Sequence, residues 1–157
     1  YREEYKNLYP EAPYQVNLLQ EWLVGFLANC DKDTLNNKVI NNEIAHKNWK
    51  LFGHCTEKTS IPASQRQWRD IYTLFNLNLE LERTGCCGMA GTFGHETNHL
   101  EESKGIYEMS WEPKIQEAQE KQEGILATGF SCRSQTKRFS KLKVKHPAQI
   151  LLESFKP

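Results

Sequence analysis

The chain has 157 residues, with 20 Lys and Arg against 20 Asp and Glu, and a formal net charge of zero. That length suits one domain with a core of its own, and the neutral balance gives no broad electrostatic case for a nucleic-acid partner. No apolar run approaches the roughly 18 residues of a membrane helix, and no signal peptide, internal repeat or low-complexity segment is visible. The chain starts at Tyr1 rather than Met, which reads as processing or as excision from something longer.

Along the chain, "PYQVNLLQEWLVGFLANC" places Leu18, Leu19, Trp22, Leu23, Phe26 and Leu27 at helical spacing, with Pro13 near the start. Cys30 falls at the end of this helix on the apolar side, where a buried small hydrophobe is the usual role. The polar, Asn-rich "DKDTLNNKVINNEIAHKN" reads mostly as loop. "NWKLFGHC" is a short apolar run, and Trp68, Ile71, Tyr72 and Phe75 then give a helical stripe with Ser60 or Ser64 available as its cap. "NLELERTGCC" alternates Leu77, Leu79 and Leu81 with polar residues, a strand pattern. A helix is expected from about Glu96 to Gln122, broken near Pro113. "GILATGFSC" is another apolar strand, and "KLKVKHPAQILLESF" reads as a short strand, a turn at His146-Pro147 and a final helix. This alternation predicts an α/β fold with a small parallel, Rossmann-like sheet flanked by helices.

There are five cysteines, Cys30, Cys55, Cys86, Cys87 and Cys132. An odd, widely spaced set is a poor disulfide framework; it fits a reducing, cytoplasmic setting in which thiols are buried, catalytic or metal-binding. Cys55, the Cys86–Cys87 pair and Cys132 each follow a predicted strand and a glycine. In a parallel sheet those carboxyl ends share one edge, where such folds place their ligands. Glycines around "GCCGMAG" let the backbone turn sharply enough for consecutive thiols to approach one object. Four thiolates suit zinc or an iron–sulfur cluster, and a redox pair is a third option. The paired C-x-x-C knuckles of structural zinc are absent, and scattered ligands suit a bulky cluster better than a single ion.

"GHC" at 53–55, "GCCGMAGTFGHE" at 85–96, "SW" at 110–111, "TGFSCRSQ" at 128–135 and "HPAQILLE" at 146–153 resemble the cysteine-rich CCG domain. The resemblance is strongest to the C-terminal part of large bacterial FAD-linked oxidases with iron–sulfur domains, of the D-2-hydroxyglutarate or D-lactate dehydrogenase type. It runs from about Leu18 to Glu153 and implies that residues 1–157 form one such domain. It implies Cys55, Cys86, Cys87 and Cys132 as ligands of an iron–sulfur cluster, [4Fe-4S] in type. It also implies an electron-transfer module of an FAD-dependent D-2-hydroxyacid dehydrogenase, inactive alone. FAD and ferredoxin-like domains of the same polypeptide, upstream of this piece, would be its partners, with at most a peripheral place at the inner membrane face. A structural zinc-binding or metal-free interaction domain is the alternative. The family pattern often closes on C-x-x-C; here Gln135 stands at the last position.

Three further features bear on function. His95 and His99 would share a face of a helix starting at Glu96, so a Cys/His zinc site is conceivable, although exposed or capping histidines are commoner. His54 could hydrogen-bond a cluster sulfur or nearby backbone. Arg133, Lys137, Arg138, Lys141, Lys143 and Lys145 form a basic run, read as a solvated face or as compensation for an anionic cluster or acidic partner domain.

Overall fold

Three short apolar runs become the strands β1 (Trp49–Phe52), β2 (Leu79–Glu82) and β3 (Gly124–Ala127). They pair in parallel in the order β2-β1-β3, with Trp49 opposite both Leu79 and Gly124. The α/β expectation with a small parallel sheet is met. The structure is a computed structural model and describes residues 2–11 and 13–156; Tyr1 and Pro157, the ends of the expected single domain, lie outside them.

Helices α1 (Arg2–Leu8), α2 (Leu19–Leu27), α3 (Lys32–Asn36) and α4 (Asn42–Ala45) precede β1. Helices α5 (Cys55–Ser60) and α6 (Ser64–Leu74) link β1 to β2, and α7 (Leu100–Glu120) links β2 to β3. Helices α8 (Phe130–Phe139) and α9 (Pro147–Ser154) follow β3.

Alternation along the strands splits the interior in two. Leu51, Leu79 and Leu126 meet Trp68, Ile71 and Tyr72 of α6 and Ile150 and Leu151 of α9. Phe52, Ile125 and Ala127 meet Tyr107, Trp111 and Ile115 of α7 on the other face. Burying a residue such as Phe52 completely contributes about 1.5–3 kcal/mol relative to leaving it exposed. The second cluster also holds Cys87 and Cys132, whereas Cys30 packs at the margin of the first. Cys30, expected as a buried small hydrophobe, does pack against this core but stays only half-buried.

Several local expectations are corrected. The segment read as loop after Cys30 holds α3 and α4, each nucleated by a cap: Asp31 accepts from Thr34 N–H at 2.8 Å and Asn41 from Ile44 N–H at 3.2 Å. Neither Ser60 nor Ser64 caps α6. Its N-cap is Ala63, because the buried Ser64 hydroxyl is committed elsewhere, accepting from Gln20 Nε2 at 2.6 Å and donating to Glu57. Pro13 does not start α2. That helix begins at Leu19, where the Leu18 N–H donates to the Glu21 carboxylate at 2.8 Å. The long helix starts at Leu100 rather than Glu96, after two 3-10 turns, Phe93–His95 and Thr97–His99, in which the Phe93 and His99 rings stack at 4.2 Å. It runs unbroken through Pro113, since the fully buried Trp111 and Ile115 hold both sides of the lost hydrogen bond. The strand expected in "KLKVK" is reduced to one bridge, Leu126 to Lys145. Finally, the apolar stripe of α2 is half open: Trp22 and Phe26 stack at 5.2 Å yet are 52 % and 56 % exposed.

A candidate four-thiol site at the sheet edge

The carboxyl ends of the three strands do share one edge, and the loops that leave it carry the four cysteines. Cys55 is the first residue of α5, Cys86 and Cys87 lie in the loop after β2, and Cys132 is in the first turn of α8 after β3. All are free thiols. Cys86 interacts with Cys55, and Cys87 with both Cys132 and Cys86. Residues from three loops, up to 77 positions apart in number, are thus brought together as the strand-end argument expected.

The pairing is reflected in their protonation. The Cys132 thiol donating toward Cys87 holds Cys87 down at about 7, against burial and with help from the N–H groups of Met89 and of Cys87 itself. The same contact, then burial, pushes Cys132 well up. Burial also raises Cys86, opposed by the Gly88 N–H, which donates to its sulfur at 3.4 Å. Cys87 is therefore the thiol of the pair that surrenders its proton first.

The turn that presents the adjacent pair is clamped at both ends. At one end, the Gly85 N–H donates to Ser110 Oγ at 2.6 Å and Trp111 Nε1 donates to the Gly85 carbonyl at 3.1 Å. This gives the "SW" dipeptide its place. At the other end, Gly88 has φ +84°, and an added Cβ would run into the Ser103 carbonyl. Ser103 Oγ donates to the Gly88 carbonyl at 2.8 Å and accepts from Gln135 Nε2 at 2.7 Å. Gln135 also donates to the Cys87 carbonyl at 3.3 Å, while its own oxygen is buried without a partner. Gln135, three residues beyond Cys132, thus supports the turn.

Two cations face the thiols. Lys58, one turn beyond Cys55, donates to the Thr84 carbonyl at 2.7 Å and feels the charge of Cys132 and Cys55, while burial lowers its pKa. Arg133 feels Cys132 and donates to the Ala127 and Thr128 carbonyls at 3.0 and 2.9 Å. Sequence reading missed Lys58 and Ser103; the Cys55-x-x-Lys58 spacing was the available signal for the first, and a lone Ser in a helix gave none for the second.

Other expectations are resolved differently. His95 is exposed, and with residues 97–99 in a 3-10 turn it shares no helix face with His99, whose partners are Phe93 and, at 3.6 Å, Glu96. The Cys/His site is not built. His54 is held by side chains rather than by nearby backbone: its backbone N–H donates to Thr128 Oγ1 at 3.0 Å and its ring Nε2 pairs with Ser131 Oγ at 3.4 Å. The basic run is not one solvated face. Besides Arg133, Arg138 donates to the Gly94 carbonyl, Lys141 to the Arg138 carbonyl and Lys145 to Glu153.

The chain is similar to D-2-hydroxyglutarate dehydrogenases. It is 43% identical over 155 residues to the enzyme of Pantoea ananatis, 42% over 158 to that of Escherichia coli and 42% over 160 to that of Haemophilus influenzae. These matches cover 98–99% of the chain but only 14–15% of each relative, so the chain spans about a seventh of the curated relatives it matches. No family model matches it, and no solved structure does.

Among the described residues no group of three or more His, Cys, Asp or Glu is already arranged to hold a metal ion. A multi-iron cluster asks for four thiolates spread around a shared volume. The donor set of Cys55, Cys86, Cys87 and Cys132, with N–H groups aimed at Cys86 and Cys87 and two cations alongside, fits that demand in number and chemistry.

Proposed function

We propose that this chain is an iron–sulfur electron-transfer module of an FAD-dependent D-2-hydroxyacid dehydrogenase, with the flavin and hydroxyacid sites in other parts of the larger protein. The observation that carries the reading is the gathering of four free thiols from three separate loops at the ligand-bearing edge of a parallel sheet. Similarity to dehydrogenases seven times its length supports it. Cys55, Cys86, Cys87 and Cys132 would hold a [4Fe-4S] cluster, which supplies one-electron transfer when bound. The chain's own part is to fix the thiols through Ser103, Gln135, Ser110 and Trp111, and to offset negative charge with Lys58 and Arg133. No helix of the described residues is long and apolar enough to cross a membrane, and a cytoplasmic setting suits five free thiols.

Anaerobic reconstitution tests this. A brown product carrying iron and sulfide at about four each per chain, reducible to a paramagnetic state, is the expected result. Stoichiometric zinc without sulfide, or no metal, would replace it with a structural or metal-free packing domain.

A further inference from the structure

Beside the thiols, the same sheet edge carries a second, separate concavity. In the order β2-β1-β3 the chain leaves β1 in one direction for β2 and reaches β3 on the other side. The crevice between the carboxyl ends of β1 and β3 is where such sheets bind ligands. A cleft of ≈ 470 Å³ lies there, within the range of about 300–1,000 Å³ typical of small-molecule sites.

Its walls are of two kinds. Leu18 and Leu19 at the start of α2, Ile61 and the ring of Trp68 give apolar faces. His54, Glu57, Thr128 and His146 give polar groups, and Gly129 forms part of the wall. The Glu57 carboxylate is already committed, receiving the Ser64 hydroxyl on one oxygen and the Thr128 hydroxyl on the other. His146 is oriented by its neighbours. Its Nδ1 accepts from the Ala148 N–H at 3.1 Å, and its ring meets Trp68 edge-on at 5.3 Å. An imidazole with Nδ1 accepting carries its proton on Nε2, which is thereby a donor. Gly129 matters by what it lacks: a side chain there would sit 2.9 Å from the Cys132 sulfur and against the His54 ring. At that point the Gly129 backbone and the His54 ring lie between the cleft and the Cys132 sulfur.

These features select a ligand class. No Lys or Arg lines the cleft, Arg133 being turned to backbone carbonyls, and a carboxylate lies in the wall. A hydroxyacid dianion or a phosphate would find one negative charge and no counter-charge. A flat, neutral, largely apolar molecule with carbonyl acceptors would match the Leu and Trp faces and the imidazole donor. We propose that this cleft binds a quinone-class electron acceptor beside the four-thiol site. The choice of a redox-active ligand rests on the electron-transfer reading above; the neutrality and the carbonyl acceptors rest on the cleft alone. The chemistry balances. Oxidising a 2-hydroxyacid to the 2-oxoacid releases two electrons and two protons, and a quinone takes up the same to become the quinol.

The test uses the metal-free 157-residue chain and duroquinone, whose fully substituted ring cannot arylate thiols, read by quenching of tryptophan fluorescence. Saturable quenching is expected. Leu19→Glu, at a position 47 % exposed and so tolerant of charge, should weaken it by at least about tenfold by placing a second carboxylate on the cleft rim. Leu152→Glu, the same change on exposed α9 outside the cleft, should leave it unaltered. D-2-hydroxyglutarate should not compete. Non-saturable quenching, equal binding by Leu19→Glu and parent, or displacement by the hydroxyacid would each overturn the assignment. Because the titration needs no metal, its failure is distinct from a failure of cluster reconstitution.

Discussion

Gly88→Ala separates the geometry of the "GCCGMAG" turn from its thiols, because it removes no sulfur. Gly88 has φ +84°, and the new Cβ would stand 3.0 Å from the Ser103 carbonyl carbon and nearer still to its oxygen, a backbone obstacle inside α7. A non-glycine residue in the left-handed region costs about 1–2 kcal/mol, and forcing extra volume against a packed backbone adds about 1–3 kcal/mol, so a loss of about 2–5 kcal/mol is expected. Two neighbours calibrate it. Gly91→Ala carries the strain alone, since φ is +71° with nothing within 4 Å, and should lose about 1–2 kcal/mol. Gly85→Ala meets only Ser110 Oγ at 3.4 Å, an ordinary contact without positive φ, and should stay within about 0.5 kcal/mol of the parent. Urea unfolding of the metal-free chain measures all three. The order Gly88, Gly91, Gly85 is expected, and Gly88→Val should go further and abolish metal uptake on reconstitution. A Gly88→Ala chain as stable as Gly85→Ala would refute the claim that the turn is held against α7.

Replacing Cys55, Cys86, Cys87 or Cys132 singly by Ser should each lower the iron and sulfide retained on anaerobic reconstitution, while Cys30→Ser, at the margin of the other core, should match the parent in metal analysis. Ser103→Ala should cost about 1–3 kcal/mol in urea unfolding, because it strands the Gly88 carbonyl and a donor of the buried Gln135. Burial, then Arg133, lowers the His146 pKa below 6.5, with Glu57 opposing. The unfolded chain therefore takes its proton first, and stability should be flat above about pH 6.5 and fall as pH drops through the folded value. His146→Asn, which keeps a cap acceptor for α9 but does not titrate, should flatten that fall in urea midpoints between pH 7 and 5.

What the sequence made legible was periodicity and order. The leucines of β2 and the apolar runs of β1 and β3 specify parallel strands, and the position of each cysteine after a strand specifies the shared edge. Residues whose role depends on a distant partner stayed hidden. Ser64 looks like a cap until Gln20 and Glu57 are found holding its hydroxyl. Ser103 looks like a helix surface residue until the Gly88 carbonyl closes on it. Pro113 predicts a break that Trp111 and Ile115 override by burial. His95 and His99 predict a helix face that two 3-10 turns dissolve. In each case a local propensity worth about 1–3 kcal/mol loses to tertiary contacts, or a polar group is claimed by one.

Charge links the site to its surroundings. Four thiolates around an iron–sulfur core of formal charge about +2 leave a net charge of about −2, and each added electron makes it more negative. Such an object is costly at a half-buried edge unless cations are held near it. Lys58 and Arg133 would answer that need for the proposed cluster, one on the helix that starts at Cys55 and one on the helix that carries Cys132. Both donate to backbone carbonyls, although Lys58 also feels the Glu57 and Glu82 carboxylates. Arg138 and Lys145, which looked equally able in the sequence, are spent on Gly94 and Glu153. The cleft beside them takes the opposite character, with an imidazole donor and a committed carboxylate but no cation in its wall. The proposed anionic centre and the proposed neutral ligand would therefore occupy adjoining parts of one sheet edge without competing for the same charges.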